Sequence, residues 1–356
     1  MAKNTEASKM TEIEDCAVET DESFISIRKV VLFVLIGIIL YLAITLISNV
    51  EDIVNALVEI QWWWVLPTMM LLSFGNYLFR YVKWQYYLQK IDVNLCHKDS
   101  FTIFLAGFTL TTTPGKIGEA IKGVFCNEVD GAPVAKTVPV VVSERVTDLL
   151  AMVLLAMIGF VIGVNTENQL LQVLMLGGLV LVGAIILGRP SFYNKIVKKM
   201  TTIGPLKRFQ DSCDLIEDTM TKTLAPKPMI LSTLVSVPGW FMECLELWLL
   251  LSLLSGAGLP SLTAPSLILL LEATFIHSTA SIIGAISFTP GGLVGYEAVS
   301  IFLITTLLGF PLADASVATI LIRFVTLWFS VIVGFIALGV LTKMNRNREQ
   351  DAIHQA

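Results

Sequence analysis

Two short stretches of the chain each combine a helix break with an acidic side chain. The first, TTTPGKIGEA, runs from Thr111 to Ala120, and the second, FTPGGLVGYEA, runs from Phe288 to Ala298. Both contain Thr-Pro-Gly, then a further glycine, then Glu-Ala. Proline removes a backbone donor and glycine accepts left-handed angles, so each stretch is expected to interrupt a helix. The N–H groups that begin the next helix suit an anionic group such as phosphate.

A dense charged set, SERVTD, lies near the start of an apolar run. Glu144 and Asp148 are four residues apart and share one helical face, and Arg145 is three residues from Asp148 and is placed to pair with it. One interpretation is a helix-end ion pair that only orients the segment. The other is a polar lining at the membrane boundary that holds a lipid headgroup.

An arginine also lies inside the last apolar run. An unpaired cation there would be costly, so we expect a carboxylate partner for Arg323, with Glu297 or Glu272 as the candidates. Glu119 and Glu297 occupy matching positions in the two phrases, so either is a candidate partner for Arg145 or Arg323.

The other ionisable residues in or beside the apolar runs are interpreted more modestly. His277 is expected to be a packing histidine with satisfied hydrogen bonds rather than a proton relay. Glu243 and Glu246 are weaker candidates for the charged site. Arg80 and Lys83 are interpreted as markers of the cytoplasmic end of an early span.

The composition is that of a membrane protein. Of 356 residues, 55% are hydrophobic and 15% charged, with a mean hydropathy of +0.75, whereas soluble domains carry about 25% charged residues. Several apolar runs approach the length of about 18 residues that indicates a bilayer span. We therefore predict an all-α polytopic membrane protein with about six to eight transmembrane helices. The basic residues are dispersed, which argues against nucleic acid as a partner.

No cofactor or metal is expected. The five cysteines include no C-x-x-C pair, and the three histidines do not cluster with them, so neither a disulfide framework nor a zinc site is predicted. The sequence also has no H-E-x-x-H, no G-x-S-x-G and no P-loop. Enzymatic activity stays uncertain, with a preference for a protein that is not an enzyme.

The charge pattern predicts the organisation of the chain. Basic residues flank the spans on one side, which places both termini in the cytoplasm of a multi-pass cell-membrane protein. The predicted segments are a disordered tail 1–27, a transmembrane domain 28–342 with half-repeats of about 28–188 and 229–342 around a basic linker 189–228, and a tail 343–356. The predicted spans include Val30–Ser48, Val138–Gly163, Leu170–Gly188, Met229–Leu254 and Ala315–Leu341.

The two phrases suggest an inverted repeat. Thr113 and Thr289 are 176 residues apart, about half the chain. The first phrase lies among lysines, whereas residues 228–322 contain no Lys or Arg. The phrases are therefore expected to face opposite sides of the membrane, each in a re-entrant or broken hairpin. Phe101–Thr112 is too short to span. For Ala264–Leu308, a re-entrant hairpin is favoured over two full crossings.

At TTTPGKIGEAIKGVF, SERVTDLLAM and FTPGGLVGYEA the sequence resembles the flippase-like family typified by the transmembrane region of lysylphosphatidylglycerol synthase. The resemblance covers about residues 28–342. In bifunctional members it implies movement of an aminoacylated phospholipid between leaflets, with synthesis by a separate soluble domain. This chain ends soon after its last span, so the translocation module without the synthase activity is expected.

The site residues come partly from that resemblance and partly from the charges themselves. The resemblance implies P-G-x-x-G-E, E-R-x-x-D and P-G-G-x-x-G-x-E positions. The charges themselves add a lysine at the first break and an arginine in the last span. The substrate-binding set is Pro114, Gly115, Lys116, Gly118, Glu119, Glu144, Arg145, Asp148, Pro290, Gly291, Gly292, Glu297 and Arg323.

Three functional hypotheses follow. The first is translocation or binding of an amphiphilic lipid, a phospholipid or polyprenyl-linked phosphate, through a polar cavity at the breaks. The second is an intramembrane enzyme acting on lipid phosphate or lipid-linked sugar, with Glu119, Glu144 and Asp148 as acids or bases. The third is a non-transporting subunit of a lipid-synthesis complex. A membrane lipid is the expected partner, and a homodimer or a lipid-synthesis partner protein stays open.

Overall fold

The structure is a computed structural model that describes residues 35–37, 39–43, 45–46, 50–114, 116–163 and 213–355. The predicted tail 1–27, the predicted span Leu170–Gly188, about half of Val30–Ser48 and most of the linker 189–228 lie outside these residues. Within the described ranges the chain is almost entirely helical, and the strand-type pairing found there is one isolated bridge.

Eleven α-helices are described over their full length. They are α1 Val50–Glu59, α2 Trp62–Lys90, α3 His97–Ala106, α4 Ile121–Asp130, α5 Val134–Gly163, α6 Cys213–Thr223, α7 Pro226–Leu254, α8 Ala264–Ile286, α9 Gly295–Leu307, α10 Leu312–Arg323 and α11 Phe329–Gln355. Short 3₁₀ turns at Gly107–Leu110 and Ile117–Ala120 flank the first Pro-Gly break.

Several of these helices have the length and composition of membrane spans. In the described part of the chain, three helical stretches are long and apolar enough to cross a membrane, namely α7, α8 and Leu312–Arg348. A fourth is added if α1 and α2, bent by 79° at their junction, form one broken span. The predicted all-α membrane fold is confirmed in this sense.

The two breaks interrupt helices as predicted, but their arms differ in length. The first break follows α3 and a single 3₁₀ turn, so its leading arm is short. The second follows α8, whose 23 residues reach about 34 Å at the usual helical rise, enough to cross the hydrocarbon core. α9 has 13 residues and is too short to do so. The Ala264–Leu308 segment is therefore one long helix and one short helix.

The last predicted span is not one regular helix. α10 ends at Arg323, a π-helical turn occupies Phe324–Trp328, and α11 continues beyond the predicted end at Leu341 as far as Gln355. The prediction missed this irregularity because a π turn has no hydropathy signal. π turns occur often at functional sites, and this one directly follows the charged residue of the span.

Helix α2 connects two apolar clusters. Met69 belongs to the cluster built with α7, α8 and α10, whereas Tyr77 and Trp84 belong to the cluster built with α3 and α4. α5 packs against α7 and α8, and Gly159 permits a close approach because a Cβ there would meet the backbone of α8. The polar site described next is held between these packed helices.

Candidate functional site

The two Pro-Gly breaks meet in space. Pro114 and Pro290 form an isolated antiparallel bridge, and Cα of Thr112 lies 3.6 Å from the position that a Cβ would take on Gly291. Gly115 lies outside the described residues. The predicted pair of breaks is therefore one composite structure with contributions from both halves of the chain.

The carboxylate of the first break is buried among arginines. Glu119 Oε2 lies 3.3 Å from Nη2 of Arg80 and 3.3 Å from Nη2 of Arg145, and the Thr111 hydroxyl donates to Oε1 at 2.5 Å. The predicted Glu119–Arg145 pair is thus confirmed. Arg80 is an additional partner that sequence reasoning missed.

The carboxylate of the second break has the partner predicted for Arg323. Nε of Arg323 donates to Oε1 of Glu297 at 2.9 Å, and its Nη2 donates to the carbonyl oxygen of Gly291 at 2.6 Å. The guanidinium also lies 4.7 Å from the ring centroid of Tyr296. Of the two candidate partners, Glu297 rather than Glu272 forms the ion pair in the described structure.

The two glutamate–arginine pairs have the same spacing in the sequence. In each half the arginine follows its glutamate by 26 residues. The residues after the Pro-Gly pairs also correspond, since Lys116 has a φ of 56° and Gly292 a φ of 73°. Both positions use the left-handed region, which glycine adopts at low cost and lysine rarely does. These shared features support the predicted internal repeat.

The E-R-x-x-D set is a buried network rather than a helix-end ion pair. Arg145 Nη2 lies 3.2 Å from Asp148 Oδ2, as predicted, and Asp148 also pairs with Nζ of Lys83. Glu144 Oε2 accepts from Nζ of Lys122 at 2.6 Å. Burying charges is tolerated when each has a partner of opposite sign, and this network supplies one for each carboxylate of the set.

The interpretation of Arg80 and Lys83 as boundary markers is wrong. Their side chains are only 6% and 1% exposed and point into the charged network. The sequence contained a signal for this burial, because the polar residues Ser73, Asn76, Arg80 and Lys83 recur every three or four residues along α2. All four are buried in the structure. That period places the four residues in a polar stripe on one face of the helix.

A cavity of about 290 Å³ connects the two breaks. The described residues that line it include four cations and two carboxylates, and the full charged set with the histidine is Arg80, Lys116, Arg145, Arg323, Asp148, Glu243 and His277. Glu119 and Glu297 do not line the cavity, but each forms an ion pair with arginines that do. The two glutamates therefore flank one shared space.

The other predicted site residues have structural positions. Gly291 and Gly292 line the cavity. The N–H of Gly118 donates to the Thr113 hydroxyl at 2.7 Å, which shapes the first break. Glu144 contacts the network through Lys122 and is not among the cavity-lining residues.

Some arginine donors at the cavity have no hydrogen-bond partner. Nε and Nη2 of Arg145 and Nε of Arg80 lack one in the described structure, although Arg145 Nη2 lies near two carboxylates. Lys116 contacts the face of Trp240, with Nζ 5.7 Å from the ring centroid. Unused donors that are buried carry a free-energy cost.

One wall of the cavity is apolar and reaches the protein surface. Ile286 and Phe288 line the cavity and are 58% and 68% exposed. Leu149 and Met152 of α5 also contribute to the apolar lining. A cationic interior beside an apolar, exposed wall matches the two ends of an amphiphile.

A chain of hydrogen bonds joins three further residues at the cavity. His277 Nε2 lies 3.2 Å from Oε2 of Glu243, and Nδ1 lies 2.9 Å from the hydroxyl of Tyr296. The expectation that both nitrogens of His277 are satisfied is confirmed. Because all three side chains line the cavity, the histidine is not simply a packing residue.

Comparison with known proteins agrees with this picture. Residues 33–334 match the family described as "Lysylphosphatidylglycerol synthase TM region". No significant match was found among curated proteins or among solved structures.

Proposed function

The chain belongs to the lysylphosphatidylglycerol synthase transmembrane-region family, and from this premise we propose that it moves an anionic amphiphilic lipid between the leaflets of the cell membrane. The headgroup occupies the cavity between the two breaks while the acyl chains stay in the bilayer. A phospholipid or a polyprenyl-linked phosphate has the required chemistry.

The single observation that supports this proposal most strongly is the excess of cations in the shared cavity. Four lysine or arginine side chains face it and only two carboxylates do. Arginine presents planar N–H donors that match phosphate oxygens, and several such donors are unpaired here. Among the described residues, no carboxylate partner is found for Lys116, and an anionic headgroup would pair with it and share the three arginines with the carboxylates that already contact them.

The carboxylates behind the arginines favour transfer over permanent binding. Glu119 already contacts Arg80 and Arg145, so a headgroup phosphate must compete with it for the same guanidinium groups. A transport site needs binding that is favourable enough for the substrate to enter and weak enough for it to leave. Built-in counter-ions give this balance because they replace the headgroup when it departs.

The apolar wall supplies a route for the lipid tails. With Ile286 and Phe288 exposed at the cavity, a headgroup can enter laterally without its acyl chains leaving hydrocarbon. The inverted half-repeats would then open the cavity alternately to the two sides, with both termini in the cytoplasm. The bridge between Pro114 and Pro290 lies where such halves would move against each other.

The enzymatic alternative is less well supported by the geometry. Its three acids, Glu119, Glu144 and Asp148, each form an ion pair with lysine or arginine. A carboxylate held in this way is a poor proton donor. Their arrangement fits charge balance at a binding site better than acid–base catalysis.

Leaflet transfer in liposomes tests the proposal. The full chain is reconstituted with phosphatidylglycerol labelled on an acyl chain, and a membrane-impermeant reductant bleaches the outer-leaflet label. We expect wild-type protein to bring the inner-leaflet label into reach, and Arg145→Gln to slow transfer at least about tenfold, since a lost charged hydrogen bond costs about 1.5–3 kcal/mol. Arg348→Gln is the matched control, because Arg348 pairs with Asp99 at the exposed surface.

Two further variants separate loss of function from misfolding. Arg145→Lys keeps the charge but not the planar donors. Glu119→Gln with Arg145→Gln removes one acid and one base, so the net charge of the buried network stays the same, although Arg80 loses its carboxylate partner. Both should fold and both should transfer slowly. Wild-type transfer no faster than in protein-free liposomes would contradict translocation, and recovery of transfer on adding a lipid-synthesis protein would favour the regulatory-subunit hypothesis.

A further inference from the structure

We propose that Glu243, His277 and Tyr296 form a proton-binding site whose occupancy is coupled to the headgroup cavity. The inference rests on the proposed function, because it identifies a co-substrate for the same site. The proton would bind together with the anionic headgroup and bias the second break.

The site has the geometry of a fixed imidazole. Glu243 and Tyr296 hold the two ring nitrogens of His277 from opposite sides, at 3.2 Å and 2.9 Å. The three side chains come from α7, α8 and α9, and all of them line the cavity while being largely buried. A site that binds a proton together with a headgroup must be accessible from the cavity, and its ring must be held in a fixed orientation.

Glu243 differs from the other carboxylates at the cavity. Asp148, which lines it, and Glu119 and Glu297, which lie behind its arginines, each have a lysine or arginine partner. In the described part of the chain, the ion-pair partner of Glu243 is His277. Histidine carries a positive charge only when protonated, and it gains or loses that charge near neutral pH. A proton therefore supplies the cation that the other carboxylates receive permanently.

The proton transfer balances within the three residues. In neutral His277, Nε2–H donates to Glu243 and Nδ1 accepts from the Tyr296 hydroxyl. A proton that arrives from water in the cavity adds to Nδ1, so both nitrogens become donors. The Tyr296 hydroxyl then accepts from Nδ1–H, and its own hydrogen turns to another acceptor.

Surrounding charges determine the sign of the coupling. Glu243 contacts the imidazole directly, and the cations of the cavity lie on the neighbouring elements. The ionisable groups on the elements around the site are Glu243, Cys244 and Glu246 on α7, Tyr296 and Glu297 on α9, Arg323 on α10, Arg145 and Asp148 on α5, Arg80 on α2, and Lys116 at the first break. An anionic headgroup neutralises those cations, so proton and lipid should strengthen each other's binding.

The connection to the second break is direct. Tyr296 adjoins Glu297 in the sequence, and its ring lies under the guanidinium of Arg323. Turning the Tyr296 hydroxyl changes the field at the Arg323–Glu297 pair, which in turn contacts Gly291 of the break. Protonation of His277 is thus transmitted to the element that is proposed to open.

Calorimetry of lipid binding tests the coupling without relying on transport. Short-chain phosphatidylglycerol is titrated into the purified full chain in two buffers of different ionisation enthalpy. We expect the heat to depend on the buffer, reporting proton uptake, and affinity to increase several-fold as the pH falls, at most about tenfold per pH unit for one proton. His277→Gln should abolish both effects and leave a weaker affinity that no longer depends on pH, and the exposed His354→Gln should change neither effect.

The outcomes separate this proposal from the proposed function. Lipid binding with no proton uptake in wild type, or with equal uptake in His277→Gln, overturns the proton site and leaves translocation intact. Coupled binding without leaflet transfer supports the site and rejects translocation. If the lipid does not bind, nuclear magnetic resonance of the three histidines tests whether His277 takes up a proton. A His277 signal that responds to pH supports the site, and one that does not respond overturns it.

Discussion

Pro114 and Pro290 form an antiparallel bridge although 176 residues separate them in the sequence. The bridge brings the two helix breaks of the chain to one place, and the charged residues that accompany each break then face a common cavity. A pair of unrelated kinks would not require this contact. The bridge therefore links the repeated phrase of the sequence to a single site.

The Lys83–Asp148 pair should contribute strongly to stability. Lys83→Met leaves the buried Asp148 with only Arg145 as an ion-pair partner, and breaking a buried pair costs about 3–5 kcal/mol. We expect a clear loss of thermal stability in detergent. The measurement is the fraction of protein that remains monodisperse in size-exclusion chromatography after heating. Lys222→Met is the matched control, because it removes an exposed pair with Asp218 and should change little. Equal effects of the two variants would contradict the importance of the buried network.

Lys116 should contribute to lipid binding and not to folding. Lys116→Gly removes a cation from the cavity and also relieves a left-handed backbone, so stability should change by no more than about 1 kcal/mol. Phosphatidylglycerol affinity should fall several-fold in a binding titration. Asp92→Gly provides the same backbone change away from the cavity and should leave affinity unaltered. A drop in affinity in both variants would mean that backbone flexibility, not charge, is responsible.

The contact of α5 with α8 should depend on Gly159. A Cβ at this position meets backbone atoms of Leu271 and Phe275, which cannot move aside as a flexible side chain would. Gly159→Ala is therefore expected to cost about 1–3 kcal/mol through overpacking, measured as a lower midpoint of thermal denaturation. Gly339→Ala, where a Cβ has open space, should be neutral or stabilising. No difference between the two would show that the helices are not packed this closely.

The two halves differ at one position that invites a charge substitution. Thr326 follows Arg323 by three residues, as Asp148 follows Arg145, and it lines the cavity. Thr326→Asp adds a third carboxylate to the lining, so phosphatidylglycerol affinity should fall about tenfold, equivalent to about 1.4 kcal/mol. Thr342→Asp is the control, since both hydroxyls donate to the carbonyl four residues earlier but Thr342 is exposed. Unchanged or tighter binding in Thr326→Asp would argue against an anionic ligand.

Part of the site could be predicted from the sequence for a physical reason. A cation within an apolar run is too costly to leave unpaired, which led directly to the partners of Arg323 and Arg145. The repeated Pro-Gly phrase likewise predicted two helix breaks, because proline and glycine act on the local backbone whatever surrounds them. These inferences needed no knowledge of the tertiary structure.

The remaining partners depended on packing that a linear pattern does not contain. Periodicity could have assigned Lys83 to a polar face of α2, but only the folded chain shows that Lys83 contacts Asp148 and that Lys122 contacts Glu144. The asymmetry between α8 and α9 and the π turn after Arg323 are also tertiary features. These helices and the π turn are all apolar in composition, so hydropathy alone does not distinguish them.

Native mass spectrometry of bound phosphatidylglycerol tests the central claim that both breaks form one lipid site. Wild-type protein and the Arg145→Gln and Arg323→Gln variants are titrated with the lipid, and the number of tightly bound molecules is counted. The account predicts one saturable site in the wild type, weakened in both variants, because the two arginines line the same cavity. Two independent sites, each lost in only one variant, or binding that neither variant affects, would contradict it.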